Sequence, residues 1–386
     1  MNVSDLLKGY DLKNITVGVL GGHSALDVGH GAKKYGFKTV AVARKGREKT
    51  YTEYFRTRNA KFKMQNEKLG CIDDVIIVDK FSDLLNKDVQ EKLRKMNTIF
   101  IHSRYFWVYF EDFEKVENEF KIPIFGSRSL LKVEERNQHF SQYDLLNIAG
   151  IRTPKIFKRP EDIDCPVIVK ASEVHRGYER AFFIVNSFAG WEKEGMRLEK
   201  EGKVSPDWRK ATIEEFVVGA PVNFNFFYSP LTGELELLGT DTRRQTNLDG
   251  FLRLLGSEQE KVLKYGIDLK MIETGHIACT VKESILEKAF SLGEKFVEAA
   301  KNLSPEIDPS GKGMIGPFAL QGAVVAEEGK EDIVIFDVSL RIPGSPGTFA
   351  TPYTRYLYGE TMSVGERVGL ELRTAVDRNM LEKVVT

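Results

Sequence analysis

The chain has 386 residues, too many for one typical hydrophobic core, so two or three domains are expected. Its 56 Lys and Arg balance 56 Asp and Glu, which argues against a general nucleic-acid binder and leaves room only for local basic pockets. No stretch approaches the about 18 apolar residues that span a bilayer, no signal-peptide run opens the chain, and the widely spaced Cys71, Cys165 and Cys279 fit reduced thiols, so a cytoplasmic protein without membrane partners is expected.

Ile15 to Leu20 is an apolar run ending at Gly21-Gly22. Ser24 and Asp27 then have the spacing of a helix-capping pair, a helix follows to about Tyr35, Gly36 stops it, and Lys38 to Ala43 supplies the next strand. This strand–helix–strand grammar opens a parallel sheet. Residues 44–74 are charged and aromatic with weak periodicity, a helix or a long insertion. Val75 to Val78 reads as a short buried strand and 88–96 as a helix. Thr98 to Ile101 is a strand ending in His102-Ser103-Arg104, and Pro123 to Phe125 another, ending in Gly126-Ser127-Arg128. A long helix is expected over 130–149, stopped by Gly150 and Pro154. Strands then dominate, over 167–170, 181–185, 213–217, 222–228 and 235–239, with a turn at Ser229 to Gly233. A helix over 284–301 precedes two more strands. The change from parallel α/β to antiparallel α+β falls near residue 126.

Strand alternation puts Asp337, Ser339 and Arg341 on one face and Phe336, Val338 and Leu340 on the other. Gln321 and Ala319 likewise alternate with Phe318 and Leu320. Two such neighbouring strands either hold a hard cation through oxygens and a phosphate through the arginine, or form an ordinary exposed polar face. His23 lies where a strand end meets a helix start, a place for phosphate, and reads equally as a packed loop histidine. With Ser103, Arg104 and Arg128 at other strand ends it makes a mononucleotide pocket, unless the arginines are solvated charges. The G-x-G-x-x-G fingerprint is absent, which argues against a dinucleotide fold. Lys170 ends an apolar strand, as a phosphate contact or as an exit into water. The loop 171–180, with His175-Arg176-Gly177, reads as a basic lid. Glu214-Glu215-Phe216-Val217-Val218-Gly219 is an acidic pair entering an apolar hinge, suited to an adenine edge along its backbone. Asp241 to Asn247 concentrates donors in a loop, solvated or anion-binding.

In this order the parts resemble the ATP-grasp ligases, and more narrowly the formate-dependent AICAR formyl ligase (FAICAR synthetase, PurP) family. The resemblance rests on Gly22-His23-Ser24, residues 36–40, Pro160 to Asp164, Glu214 to Gly219, Phe227 to Leu231, Asn247 to Gly250 and Gly313 to Phe318, almost end to end. It implies a Rossmann-like pre-ATP-grasp α/β domain over 1–126, followed by an α+β ATP-grasp fold. That fold divides into a subdomain with the lid over 127–220 and one with the metal site over 221–386. It implies that His23 and Ser103 contact the nucleotide substrate, with Arg104, Arg128 and His276 beside them. Lys170, Arg176, the hinge Glu214, Glu215, Phe216, Val217 and Val218, and Gln245 would bind ATP. Gln321 and Asp337 would hold magnesium (manganese is possible), and Arg341 with Lys170 would act in catalysis. The expected partners are ATP, formate or another small carboxylate, an AICAR-like ribonucleotide and further copies of the chain.

Departures from the family cluster at the lid and substrate pocket. Asp337 stands for the usual glutamate, Gln245 for a glutamate on the ATP ribose, and His276 for a substrate asparagine. Neutral imidazole would offer one donor and one acceptor there, on a rigid ring. Arg104 accompanies an insertion, the lid holds one glycine, and a Gly-Gly segment becomes Ile342 to Gly347. These changes imply a paralogue with the same ATP chemistry on AICAR, the same mechanism on a different carboxylate or amine, or a regulatory nucleotide binder without turnover.

Overall fold

The apolar run after Ile15 becomes β1 (Thr16–Leu20), buried at every residue, and pairs in parallel with β2 (Lys38–Arg44). This computed structural model describes residues 2–59, 68–110, 113–135, 138–171, 181–267, 269, 272–327, 329–344 and 346–386. In the span 44–74, a five-residue π-helix (Thr50–Tyr54) and a two-residue ladder of β3 (Arg58–Asn59) with β4 (Lys68–Leu69) lead to β5 (Asp74–Val78). Then come β6 (Thr98–Ile101) and β7 (Ile124–Phe125), giving a parallel sheet of order β5-β2-β1-β6-β7. Because β5 is the edge, it is half exposed, not the buried strand expected, with Ile77 facing out.

The next sheet is antiparallel. It contains β8 (Ile156–Phe157), β9 (Val167–Ala171), β10 (Ala181–Val185) and β11 (Thr212–Glu215), in the order β10-β9-β11-β8. An unforeseen helix, Phe188–Lys200, covers it through Trp191, which packs on Trp208 and Phe183. The third sheet holds β12 (Ala220–Tyr228), β13 (Leu235–Gln245), β14 (Glu273–Cys279), β15 (Gly316–Glu327) and β16 (Lys330–Ser339), ordered β14-β13-β12-β15-β16. The helix Glu283–Lys301 packs one face of this sheet, joining Phe296 and Val297 to Phe226, Phe318 and Leu320. The opposite face carries Phe227 and Leu238 into the core of the first domain and, beyond them, Asn223, Asn225, Asp241, Gln321 and Asp337.

Several local expectations are corrected. No helix runs over 130–149; a 3-10 turn (Ser129–Glu134) and a helix (Gln142–Ile148) take its place. Ser141 and Asp144 form a capping box that starts the second piece, an internal start signal that the periodicity hid. Ser24 does not cap its helix: it is left-handed (φ 65°), and its hydroxyl donates to Pro343 O at 2.7 Å. Asp27 instead accepts from Gly365 N, 338 residues away in sequence. Strand β13 runs on to Gln245, so Asp241 to Gln245 is sheet, not loop. In β16 the register slips opposite Gln321 and Gly322, which makes Phe336 the extra residue. Ile333 and Ile335, then Val338 and Leu340, share the core, and Phe336 lies outside it.

The long helix near the end of the chain, Val364–Asp377, packs on the first domain's helix, Ala25–Lys34. A Cβ on Gly31 would lie 2.0 Å from Gly365 O, so only glycines allow this approach. Arg367 is buried between Glu236 and Glu371 beneath it, tying the helix to β13. Among the described residues, no helix is long and apolar enough to cross a membrane.

Candidate active site

The polar face of the third sheet is a field of hydrogen bonds and ion pairs. Asp241, fully buried on β13, accepts from Asn223 Nδ2 (2.8 Å) and Asn225 Nδ2 (2.6 Å) on the adjoining β12. His276, across the ladder on β14, bonds Asp241 Oδ1 through Nδ1 and Glu273 Oε1 through Nε2 at 3.1 Å. Burial opposes the imidazolium, but the two carboxylates outweigh it and raise His276 to about 9. It is therefore a cation with two donors, not the neutral ring expected. Burial likewise works against the Glu273 carboxylate, yet His276 and Arg243 bring it down to about 2. Arg243 Nε lies 3.3 Å from Glu273 Oε2, and its Nη2 bonds Gln321 Oε1 and lies 3.9 Å from Asp337 Oδ2. Gln321 and Asp337 are direct partners in the β15–β16 register, and Gln321 Nε2 donates to Ser339 Oγ at 2.9 Å.

A prediction follows from the sign of the His276 shift. Its folded pKa lies above the unfolded value, so its contribution to stability is complete below about pH 6.5 and disappears as pH rises through about 9. The melting-temperature advantage of the wild type over His276→Gln should shrink across that window. A constant difference between pH 6 and 9.5 would contradict the assignment.

Arg341 leaves β16 into the interior. Its Nε is 3.4 Å from Glu134 Oε1, and the same oxygen accepts from Leu340 N at 2.5 Å. Burial lowers the Arg341 pKa and raises that of Glu134, with their mutual attraction opposing both shifts. His23 sits at the end of β1 facing this region. Burial first, then the Arg341 charge, pushes it down to about 3, so it is a neutral ring. Glu273, Arg104 and His276 also act on it electrostatically. Charges at the ends of β6 and β16 and on β14 thus act on the neutral His23 at the end of β1. A Cβ on Gly344 would lie 2.1 Å from His23 Nε2, so the altered segment after Arg341 rests on the imidazole only because it carries glycine there. Ser103 is wholly buried and its Oγ accepts from Tyr105 N at 3.4 Å.

On the second sheet, Lys170 Nζ lies 2.5 Å from Glu214 Oε2, and Tyr143 OH bonds the other oxygen of Glu214. Of the two readings of Lys170, an exit into water does not hold, because its side chain is only 8% exposed. The role expected of Glu214 also changes. Its main chain is paired on both sides, with Ile156 and Ile168, so it positions Lys170 and does not offer a free edge. Glu215 N and Phe216 N donate to Lys155 O and Pro166 O, both at 2.8 Å, which leaves the hinge proper at Val217 and Val218. Gln245 lies opposite Glu273 at the end of β13, and its amide N–H bonds Asp249. Arg176 and the rest of the lid beyond Ala171, residues 172–180, lie outside the described residues.

Arg128 is a correction. Its guanidinium points inward, donating to Val116 O (3.0 Å), Phe120 O (2.6 Å), Ile122 O (2.7 Å) and Thr386 O (3.0 Å). With four acceptors inside the fold it is a structural pin, not a substrate ligand. Sequence reasoning missed Glu134, Tyr143, Asn223, Asn225 and Glu273, and reached Asp241 and Arg243 only as members of a donor-rich run, solvated or anion-binding. A cavity of about 710 Å³ opens beside Ser24, lined by Tyr51, Cys71 and Phe349 among others. It is mostly apolar and the charged cluster does not line it, so the chemistry is assigned to the cluster.

The donor set fits a hard cation. Amide and carboxylate oxygens of Gln321 and Asp337 already converge on one positive group, Arg243. Among the described residues no three His, Cys, Asp or Glu side chains gather as a metal cage. Such a pair suits an ion that takes its remaining ligands from phosphate and water.

Two family models match the chain: the DUF1246 protein of unknown function over residues 17–157 and the DUF1297 domain of unknown function over 191–386. A 5-formaminoimidazole-4-carboxamide-1-(beta)-D-ribofuranosyl 5'-monophosphate synthetase from Methanocaldococcus jannaschii is 36% identical, over 100% of this chain and 98% of the relative. The crystal structure of the IMP biosynthesis protein PurP from Thermococcus kodakaraensis superposes with a TM-score of 0.65 at 25% identity, covering 96% of this chain and all of that one. The ADP complex of purK, an N5-carboxyaminoimidazole ribonucleotide synthetase, has a TM-score of 0.55 at 12% identity, covering 91% of this chain and 78% of that one. The last shares the fold alone. That fold is the expected one, a parallel α/β domain followed by an ATP-grasp.

Proposed function

The chain belongs to the family of 5-formaminoimidazole-4-carboxamide ribonucleotide synthetases, and on that premise we propose that it joins formate to the amine of AICAR with ATP, releasing ADP and phosphate. The observation that carries this reading is that Arg104 from the first sheet and Glu273, His276 and Arg341 from the third all act electrostatically on the His23 ring. A ribonucleotide at the strand ends of the first domain and an acyl phosphate on the polar sheet face would touch there.

In this reading a formate oxygen attacks the γ-phosphorus of ATP and ADP leaves, giving formyl phosphate. The AICAR amine then attacks the formyl carbon, and phosphate departs with the oxygen that formate supplied. Lys170, held by Glu214 and Tyr143, and Arg341, held by Glu134, place fixed positive charge where the phosphoryl group transfers. Gln321 and Asp337 would hold a divalent ion, magnesium or manganese, which would supply charge neutralisation at the phosphates of ATP. The hinge at Val217 and Val218 takes the adenine and Gln245 the ribose. His23 and Arg104 hold the nucleotide substrate, with Ser103 beneath them. A cytoplasmic homo-oligomer is part of the proposal on family grounds.

ADP release that requires both formate and AICAR tests this reading; release that needs neither would overturn it. A second reading keeps the mechanism and changes the amine or the carboxylate. It is favoured by His276, whose two nitrogens are both committed to carboxylates and so offer nothing to a carboxamide.

His23→Ala should weaken AICAR binding by roughly tenfold or more, the cost of a lost buried hydrogen bond, and ATP binding by less than about twofold. Calorimetry showing equal losses for both ligands would make His23 structural.

A further inference from the structure

The two oxygens that best suit a divalent ion are engaged by an arginine. Arg243 Nη2 bonds Gln321 Oε1 and faces Asp337 Oδ2 at 3.9 Å, while its Nε faces Glu273 Oε2 at 3.3 Å. Gln321 is locked in this orientation, because its Nε2 donates to Ser339 Oγ and so its Oε1 must point to the cation. Glu273 is locked as well, by His276, which Asp241 anchors from the buried side. Gln321 and Glu273 are therefore fixed, and the guanidinium is the part that can leave. It is also imperfectly held: Arg243 Nε is buried without an aligned hydrogen bond despite the nearby carboxylate. A buried donor in that state is a poor resting place for a guanidinium when better acceptors arrive.

We propose that Arg243 is the placeholder cation of the metal site. In the ligand-free chain its guanidinium occupies the position between Gln321 and Asp337. When a nucleotide triphosphate and a divalent ion bind, it turns onto the phosphate oxygens, where its planar fork can bond two at once. The binding of metal and nucleotide is then coupled: the ion gains the two oxygens only as the arginine gains the phosphates. Metal without nucleotide must compete with an intramolecular cation and binds weakly. This inference rests on the assignment of Gln321 and Asp337 to the metal, and not on the identity of the amine.

The test is Mn²⁺ alone, titrated into the full chain without nucleotide and read by electron paramagnetic resonance. Arg243→Met should bind Mn²⁺ about tenfold tighter than wild type or more, because a unit charge within 4 Å of the ligands is gone. Arg243→Lys, which keeps a charge, should stay close to wild type. Arg104→Met, which removes another cation acting on Glu273, controls for loss of charge alone and should change Mn²⁺ affinity less than about threefold. The gain should vanish in Arg243→Met combined with Asp337→Asn. With Mn²⁺ and ATP together the order should invert, Arg243→Met binding ATP more weakly than wild type. Unchanged or weaker Mn²⁺ binding in Arg243→Met, an equal gain in Arg104→Met, or a gain that survives loss of Asp337 would each overturn the proposal. None of these readouts uses AICAR or formate, so failure of the synthetase reading would show separately, as absent ADP release.

Discussion

Asp337→Asn should lower ATP turnover by on the order of 10²–10³-fold while leaving the melting temperature within a few degrees of wild type. The side chain lies on the polar sheet face, 15% exposed, and contributes nothing to the core that Val338 and Leu340 fill one and three residues on. Asparagine keeps its shape and one oxygen, so the loss isolates the negative charge. Without that charge the pair with Gln321 becomes two neutral amides, a weak site for a hard ion beside the positive Arg243. Turnover unchanged at saturating magnesium would remove Asp337 from the metal site.

Arg128→Ala should cost at least about 3 kcal/mol of stability, measured by urea unfolding, and should not alter KM for the ribonucleotide in the fraction that folds. Four main-chain oxygens lose their donor at once, and each buried acceptor left unpaired costs about 1–3 kcal/mol before relaxation. Burial lowers the Arg128 pKa to about 9, still above neutrality, so the guanidinium remains charged and its bonds are charge-assisted. The main chain at Arg128 also donates to Thr386 Oγ1, so the residue pins the end strand β7 to the last residues of the chain. A stable variant with a raised KM would return Arg128 to the pocket.

Those two residues show what the sequence could and could not say. Asp337 was legible because strand alternation is local: once β16 is a strand, Asp337, Ser339 and Arg341 share a face. The bulge was not legible, since it depends on how β15 pairs, and it displaced Phe336 from the face shared by Val338 and Leu340. Arg128 has the local appearance of a strand-end ligand, and only the fold reveals that Thr386 and three carbonyls surround it. Lys170 was flagged by its position, whereas its partner Glu214 was taken for hinge chemistry because the pair forms across neighbouring strands. His276 was found as a departure at a substrate position. Its charge was out of reach of sequence, because it comes from Asp241 and Glu273, which the β13–β14 register brings to it. The order of the domains, by contrast, lies in runs and stops that each segment carries by itself.

In this mechanism formate is activated by phosphorylation before it meets the amine. The direct measurement is the fate of its oxygen. With ¹⁸O-labelled formate, AICAR, ATP and magnesium, the phosphate released should carry one ¹⁸O per turnover, and ADP none. Phosphate free of label, with a formylated product still formed, would contradict the formyl phosphate and with it the roles given to Lys170 and Arg341.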